Sequence, residues 1–200
     1  MVSTISKADE SNQPPELEIT LEEFLKLPET EPESEYINRK IYQKPMGQGK
    51  HSYLQYKISS LINQLGEPQE TAYAFPELRC TFGGQSIVPD VVVFEWEHTG
   101  LDQNQQVINT YLIPPDWIIE ILSPDQNVNK VISKITLSLQ YGAKLGWLIN
   151  PQNSSVLVFT PEEPPIYKQG IDRLPALEVI QNWELTAEEL FKSPNFPVRT

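Results

Sequence analysis

Two apolar runs that each carry an acid decide the reading of this chain: VPDVVVFEW (88–96), with Asp90, and PDWIIEILSP (115–124), with Glu120. Val, Ile and aromatic residues at this density read as strands, and a carboxylate is expensive to bury among them. Two such acids imply a shared charge partner, for which a divalent metal is the obvious candidate. The expectation is a metal-dependent enzyme of the phosphodiesterase kind. In a strand over Trp117–Leu122, period-two geometry sends Ile118, Glu120 and Leu122 to one face and Ile119 and Ile121 to the other. Asp90 follows Pro89, which cannot donate to a ladder and so favours a strand start or a bulge that aims a side chain into a cleft.

The length of 200 residues suits one domain with a proper core, and no stretch approaches the ~20 apolar residues of a membrane span. The N-terminus lacks the basic-then-apolar order of a secretory signal, and Cys80 is the single cysteine. A soluble, cytoplasmic protein in a reducing compartment is expected. His51 and His98, the two histidines, are too few for a structural zinc site, so the metal should be hard and oxygen-liganded, Mg²⁺ or Mn²⁺.

A net charge of −12 argues against a nucleic-acid partner, but the charge is unevenly spread. Residues 1–35 hold ten acids against Lys7 and Lys26, which leaves −4 for the rest. The stretch 36–57 has no acids and carries Arg39, Lys40, Lys44, Lys50 and Lys57 among four tyrosines. Such a stretch can track a phosphate backbone; a solvated strand and helix face reads equally well.

Punctuation and periodicity give the organisation. Residues 1–17 read as a disordered acidic tail and 18–200 as one domain. Thr20 with Glu23 predicts a capping box before LEEFLKL, which Pro28 stops. Tyr36 to Lys44 reads as a strand, and a helix follows over about residues 50–65 with Leu54, Ile58, Leu61, Ile62 and Leu65 on one stripe. Strands near 71–82 and 91–96, a polar loop over 97–116 and the strand Trp117–Leu122 come next. A helix beyond Ser123-Pro124 carries Val128, Val131, Ile132, Ile135 and Leu139, with Gly142 placed to end it. Strands 146–150 and 156–160, a Pro-rich turn and a helix capped by Thr186 and Glu189 complete an order αβαβββαββα. That order predicts an α/β sandwich on a mixed sheet flanked by helices.

EYINRKIYQKP, VPDVVVF, PPDWIIEILSPDQ and GWLINP, in this order, resemble the Uma-two family of restriction-endonuclease relatives, within the PD-(D/E)xK nuclease superfamily. The likeness spans about residues 18–192. It implies a restriction-endonuclease-like fold, Mg²⁺ dependence and DNA cleavage. By resemblance Asp90 and Glu120 are metal ligands, joined by the carbonyl of Ile121, and Glu35 matches an early family acid that binds a second metal or orients water. Glu35 also ends a run of surface acids, a reading that carries equal weight. His51 stands where the family often has a histidine, and Gln55 lies one helical turn on.

The superfamily's lysine belongs two residues after the acid, where this chain has Leu122. The resemblance moves it to the following helix, where Lys134 matches the usual position and Lys130 is the other candidate. At about 100° per residue from Val128, the two fall near 200° and 240°, opposite the expected core stripe. They serve catalysis only if a second face of the helix turns inward. The bland alternatives are a strand-end turn for Asp90 and an ion pair with Lys134 or Arg79 for Glu120. No G-x-S-x-G supports a serine hydrolase, and nothing beyond the two acids suggests a glycosidase. The reading is a Mg²⁺-dependent DNA endonuclease, for which a homodimer would suit double-strand cutting; the rival is a catalytically inactive module of the same fold that binds nucleic acid or a protein.

Overall fold

The computed structural model describes residues 19–194 apart from Leu101, Gln105 and Asp125, so the expected tail over 1–17 lies outside the described residues. The capping box forms: Glu23 N donates to Thr20 Oγ1 at 3.2 Å and Thr20 N to Glu23 Oε2 at 2.7 Å, opening α1 (Leu21–Phe24). The stretch read as one strand, 36–44, is instead a hairpin of β1 (Ser34–Ile37) and β2 (Lys40–Gln43). Its two-residue turn puts Asn38 and Arg39 at φ 51° and 63°, the left-handed pair that matches the twist of the flanking strands.

Helix α2 (Gly49–Gly66) buries Leu54, Ile58 and Ile62, as its stripe predicts. The single strand expected near 71–82 is broken. It divides into β3 (Ala72–Pro76) and β4 (Cys80–Phe82), and a tight Gly83-Gly84 turn leads to β5 (Gln85–Ile87), which the apolar pattern does not announce. After β6 (Val91–Glu95) the long connection holds a short 3₁₀ turn, Trp96–His98, and a bridge from Tyr111 to Cys80. Next come β7 (Trp117–Ile121), α3 (Val128–Gln140), β8 (Leu145–Asn150) and β9 (Ser155–Phe159). The Pro-rich segment read as a turn also contains β10 (Ile166–Gln169), before α4 (Ala187–Phe191) with its Thr186–Glu189 box.

The strands form two sheets. One is antiparallel, in the order β2-β1-β5-β4; the other is mixed, β10-β9-β8-β7-β6-β3, with β7 and β8 its parallel pair and α3 their crossover. On one face of the larger sheet, α2 and α4 bury Ile58, Ile62, Val91, Val93, Ile119 and Ile121 around Trp117 and Trp147, whose rings meet edge to face at 4.7 Å. On the other face α3 and the smaller sheet enclose Ile87, Val92, Phe94, Ile118, Ile135 and Leu148. The apolar runs at 91–94 and 117–121 are continuous rather than alternating because both faces of these strands are covered. Cys80 is fully buried in the second core, and that burial pushes its thiol up to about 12.

Edge strand β3 is tied to α2 by one side chain. Asn63 Oδ1 accepts from Ala74 N at 2.6 Å and Asn63 Nδ2 donates to Ala74 O at 3.0 Å, filling both main-chain positions of a strand edge. The opposite face has a similarly close fit at Gly146 of β8. A Cβ there would lie 2.4 Å from Ile135 Cγ2 on α3. Gly146→Ala should therefore push α3 off the sheet and cost about 1–3 kcal/mol in chemical denaturation, whereas Gly49→Ala, which meets open space, should stay within about 1 kcal/mol.

Candidate active site

Asp90 immediately precedes β6. The last β6–β7 pair is Val91 with Ile119, so one more antiparallel step sets Asp90 beside Glu120 at the end of both strands. The Asp90 side chain itself bonds to the end of β7: Oδ2 accepts from Ile121 N at 2.7 Å. The same oxygen lies 3.1 Å from His51 Nε2, while Oδ1 accepts from Lys44 Nζ at 2.8 Å. Lys44 also donates to Val88 O at 2.9 Å, and Gln55 Nε2 donates to Asp90 O at 2.8 Å. His51 and Gln55 thus both face the site, one turn apart on α2.

Glu120 is 2 % exposed, on the α3 side of the sheet with Ile118. Lys134 Nζ sits 2.8 Å from Glu120 Oε1 and 2.8 Å from Glu35 Oε1, and Glu35 Oε1 also accepts from Val88 N at 2.8 Å. The expected orientation of α3 is corrected here. Val128 is 42 % exposed, whereas Val131, Lys134, Ile135 and Ser138 are buried, so the inward face is rotated from the expected stripe toward Lys134. Lys130 stays outside, 4.3 Å over the Tyr42 ring. Glu35, expected with equal weight as a surface acid, is 7 % exposed and inside the cluster.

Two readings of the basic stretch are also corrected. Lys44 is buried against Asp90, and Lys57 donates to the carbonyls of Glu189 and Lys192, so neither is a free phosphate-tracking cation. Lys44 is the site residue that sequence reasoning missed. Its partner is 46 residues away, and only its place at a strand end before Pro45 marked it. Arg79, weighed as a partner for Glu120, instead donates to Ser86 Oγ and Ser34 O.

The charges are strongly biased by burial. Desolvation pushes Glu120 up to about 8, with Lys134 opposing and the Asp90 and Glu35 charges reinforcing. Asp90 feels the same desolvation, but the His51 hydrogen bond and the Lys44 ammonium outweigh it and hold the carboxyl well below its usual range. Burial would lower Lys134, yet Glu120 and Glu35 keep it above the ordinary lysine value. Lys44 is raised in the same way, by Asp90 against its own desolvation.

These residues fit a hard cation. Three carboxylates (Glu35, Asp90, Glu120) face two ammoniums (Lys44, Lys134), a formal excess of one negative charge. Glu120 Oε1 is buried and, despite the nearby ammonium, has no hydrogen bond of good alignment. Among the described residues no three His, Cys, Asp or Glu side chains converge with metal-ligating spacing. A hard cation there would be held by the carboxylates of Asp90 and Glu120, oxygen ligands of the kind Mg²⁺ accepts. The two α3 lysines should differ sharply in stability measurements. Lys134→Met leaves two acids buried without their ammonium and should cost about 3–5 kcal/mol, against about 0.5 kcal/mol or less for Lys130→Ala.

Similarity to known proteins agrees with this geometry. The Uma2 family model, described as "Putative restriction endonuclease", matches residues 21–188. The crystal structure of "a putative nuclease belonging to DUF820 from Anabaena variabilis ATCC 29413" is 48% identical, covers 86% of this chain and 97% of its own, and superposes with a TM-score of 0.84. No curated protein matches the chain. Two packed sheets flanked by helices, with the acids at the ends of β6 and β7, make a restriction-endonuclease-like α/β fold. The chain belongs to the Uma2 family.

Proposed function

We propose that this chain is a divalent-metal-dependent nuclease that hydrolyses internal phosphodiester bonds of DNA. The observation that carries the reading is the delivery of Lys134 from α3 to Glu120, beside Asp90, in a chain whose position 122 is leucine. A strand lysine is thereby replaced by a helix lysine that reaches the same acid. Asp90, Glu120 and the carbonyl of Ile121 would hold Mg²⁺ or Mn²⁺. Such an ion, when bound, polarises a phosphoryl oxygen and lowers the pKa of a coordinated water. Lys134 offers its ammonium to the charge that develops on the phosphoryl oxygens, and Glu35 fixes its position. Lys44 and His51 hold the Asp90 carboxylate ionised and oriented. A homodimer would place two such sites on one duplex.

A second reading, an inactive module that binds nucleic acid or a protein, draws on Leu122 and on the complete pairing of Lys134 between two acids. Catalysis separates them. Supercoiled plasmid should be nicked or cut with Mg²⁺ or Mn²⁺ and left intact in EDTA; wild-type protein that binds DNA without cutting it under any divalent ion would favour the module. Asp90→Asn and Glu120→Gln should each slow cleavage at least about a hundredfold with the fold retained. Lys134→Ala should lower turnover with little change in DNA affinity, and Lys130→Ala should leave turnover near wild type.

Glu120 also makes a pH prediction for the metal-free protein. Burial raises its pKa from the ordinary carboxylate value of 4.5 to about 8, so folding favours the neutral acid. That contribution is complete below about 4.5 and disappears as pH rises through about 8. Glu120→Gln removes the titration. In EDTA, the melting temperature of the variant relative to wild type should rise by several degrees from about pH 6 to about pH 9. A difference that does not change with pH would contradict a buried, neutral-favouring Glu120.

A further inference from the structure

Asp90 meets any incoming metal ion with both oxygens already engaged. Its Oδ2 takes two donors, Ile121 N at 2.7 Å and His51 Nε2 at 3.1 Å, which leaves Oδ1 as the oxygen with room for a metal. Lys44 Nζ sits on that oxygen at 2.8 Å and gives a second bond to Val88 O at 2.9 Å. The lysine side chain is only 9 % exposed, so its charge is carried by these partners more than by water. A divalent ion on Oδ1 would share the oxygen with an ammonium of like charge, in a setting that screens the repulsion poorly.

Of the two ammoniums in the cluster, Lys44 is the one placed to leave. Lys134 is held between Glu35 and Glu120, 2.8 Å from each. Lys44 has one acid in contact and a second nearby: Glu77 Oε1 lies 4.0 Å from Nζ, on a side chain that is 45 % exposed and has room to turn. Glu77 is kept close because its N donates to Asp90 O at 3.2 Å. The charge balance points the same way. Glu35, Asp90 and Glu120 outnumber Lys44 and Lys134 by one, so a divalent ion added to all five would leave a buried excess of positive charge. With Lys44 passed to Glu77, the ion and Lys134 balance the three carboxylates.

We propose that Lys44 sets the metal affinity and selectivity of this site: its ammonium holds Asp90 Oδ1 in the metal-free chain and passes to Glu77 when a divalent ion binds. The inference rests on the metal reading of Asp90 and Glu120 and adds a competitor to it. Binding then exchanges one ion pair for another instead of stripping a buried lysine of its partner, and Glu77 acts through Lys44 as a positioning residue. A monovalent ion carries no more charge than the ammonium it would displace, so the exchange favours divalent ions.

Titration of the full chain with Mn²⁺ in the absence of DNA, read by calorimetry, tests the competition without requiring cleavage. Lys44→Met should bind Mn²⁺ at least about tenfold more tightly than wild type, although its melting temperature in EDTA falls because Asp90 has lost an ion pair. Glu77→Gln leaves the five buried charges in place. It should weaken Mn²⁺ binding about threefold, and should have no such effect once Lys44 is methionine. An equal loss in both backgrounds would mean that Glu77 attracts the ion directly, and would overturn the exchange. Crystals grown with Mn²⁺ carry the test even if Lys44→Met does not fold: Lys44 Nζ should lie within hydrogen-bond distance of Glu77 and away from Asp90 Oδ1. Mn²⁺ seated on Asp90 with Lys44 still in contact with Oδ1, or an unchanged affinity in Lys44→Met, would overturn the proposal and leave the metal reading standing. Mn²⁺ bound by neither protein would overturn both. Exchange seen in a protein that cuts no DNA would support the proposal and count against the nuclease reading alone.

Discussion

The structure depends on how five charged side chains are kept out of water together. A lone carboxylate at the position of Glu120, between two sheets and under a helix, would be driven to its neutral form, and a lone ammonium at Lys134 would meet the opposite penalty. Lys134 offsets part of the first penalty, and Glu120 with Glu35 more than offsets the second. Asp90 and Lys44 likewise offset each other's desolvation. This mutual dependence reaches much of the fold, since the partners come from β1, the end of β2, α2, the start of β6, β7 and α3. Displacing one of these elements strands a charge contributed by another. Truncating one member of a buried pair is accordingly far more costly than the pair is stabilising.

Much of this was legible in the chain. Asp90 and Glu120 stood out because acids inside Val/Ile runs have few bland explanations, and the parity of Trp117–Leu122 placed Glu120 on the α3 side of the sheet. The capping boxes at Thr20 and Thr186 formed because their chemistry is local. What the sequence hid was non-local. The face that α3 presents was misjudged because its apolar stripe was centred on Val128, which the fold leaves exposed, while the attraction of two distant acids turns Lys134 inward. Lys44 was hidden for the same reason. Strands β5 and β10 are short, with one isoleucine each beside polar residues, and pairing partners rather than intrinsic pattern define them. The hairpin at Asn38-Arg39 was obscured because arginine is an unusual occupant of a left-handed turn position.

An ammonium delivered from α3 reaches Glu120 by a different route from one at position 122, which is leucine here. A side chain at 122 would approach Glu120 from the same strand, fixed by the pleat. From α3 it arrives across the space between the sheets, and its position depends on how closely the helix lies on β8. The glycine at 146, against Ile135, sets that spacing. Glu35 enters from the other sheet and accepts from the same ammonium at 2.8 Å. Lys134 is thus held by acids from both sheets.

The amide of Asn63 against Ala74 has a mechanical consequence for residues well removed from it. It pins α2 to the sheet near one end, and His51 lies twelve residues along the same rigid rod, about 18 Å from the pin. The helix would act as a lever against the bond from Gln55 to Asp90 O, which holds its far end. A tilt of roughly 5° about Asn63 would carry His51 about 1.5 Å, enough to break its contact with Asp90. Ordinary repacking under the middle of the rod, at Ile58 or Ile62, would be magnified at its tip. The alignment of an imidazole with a carboxylate is in this way coupled to a side-chain clamp on a sheet edge twelve residues along the helix.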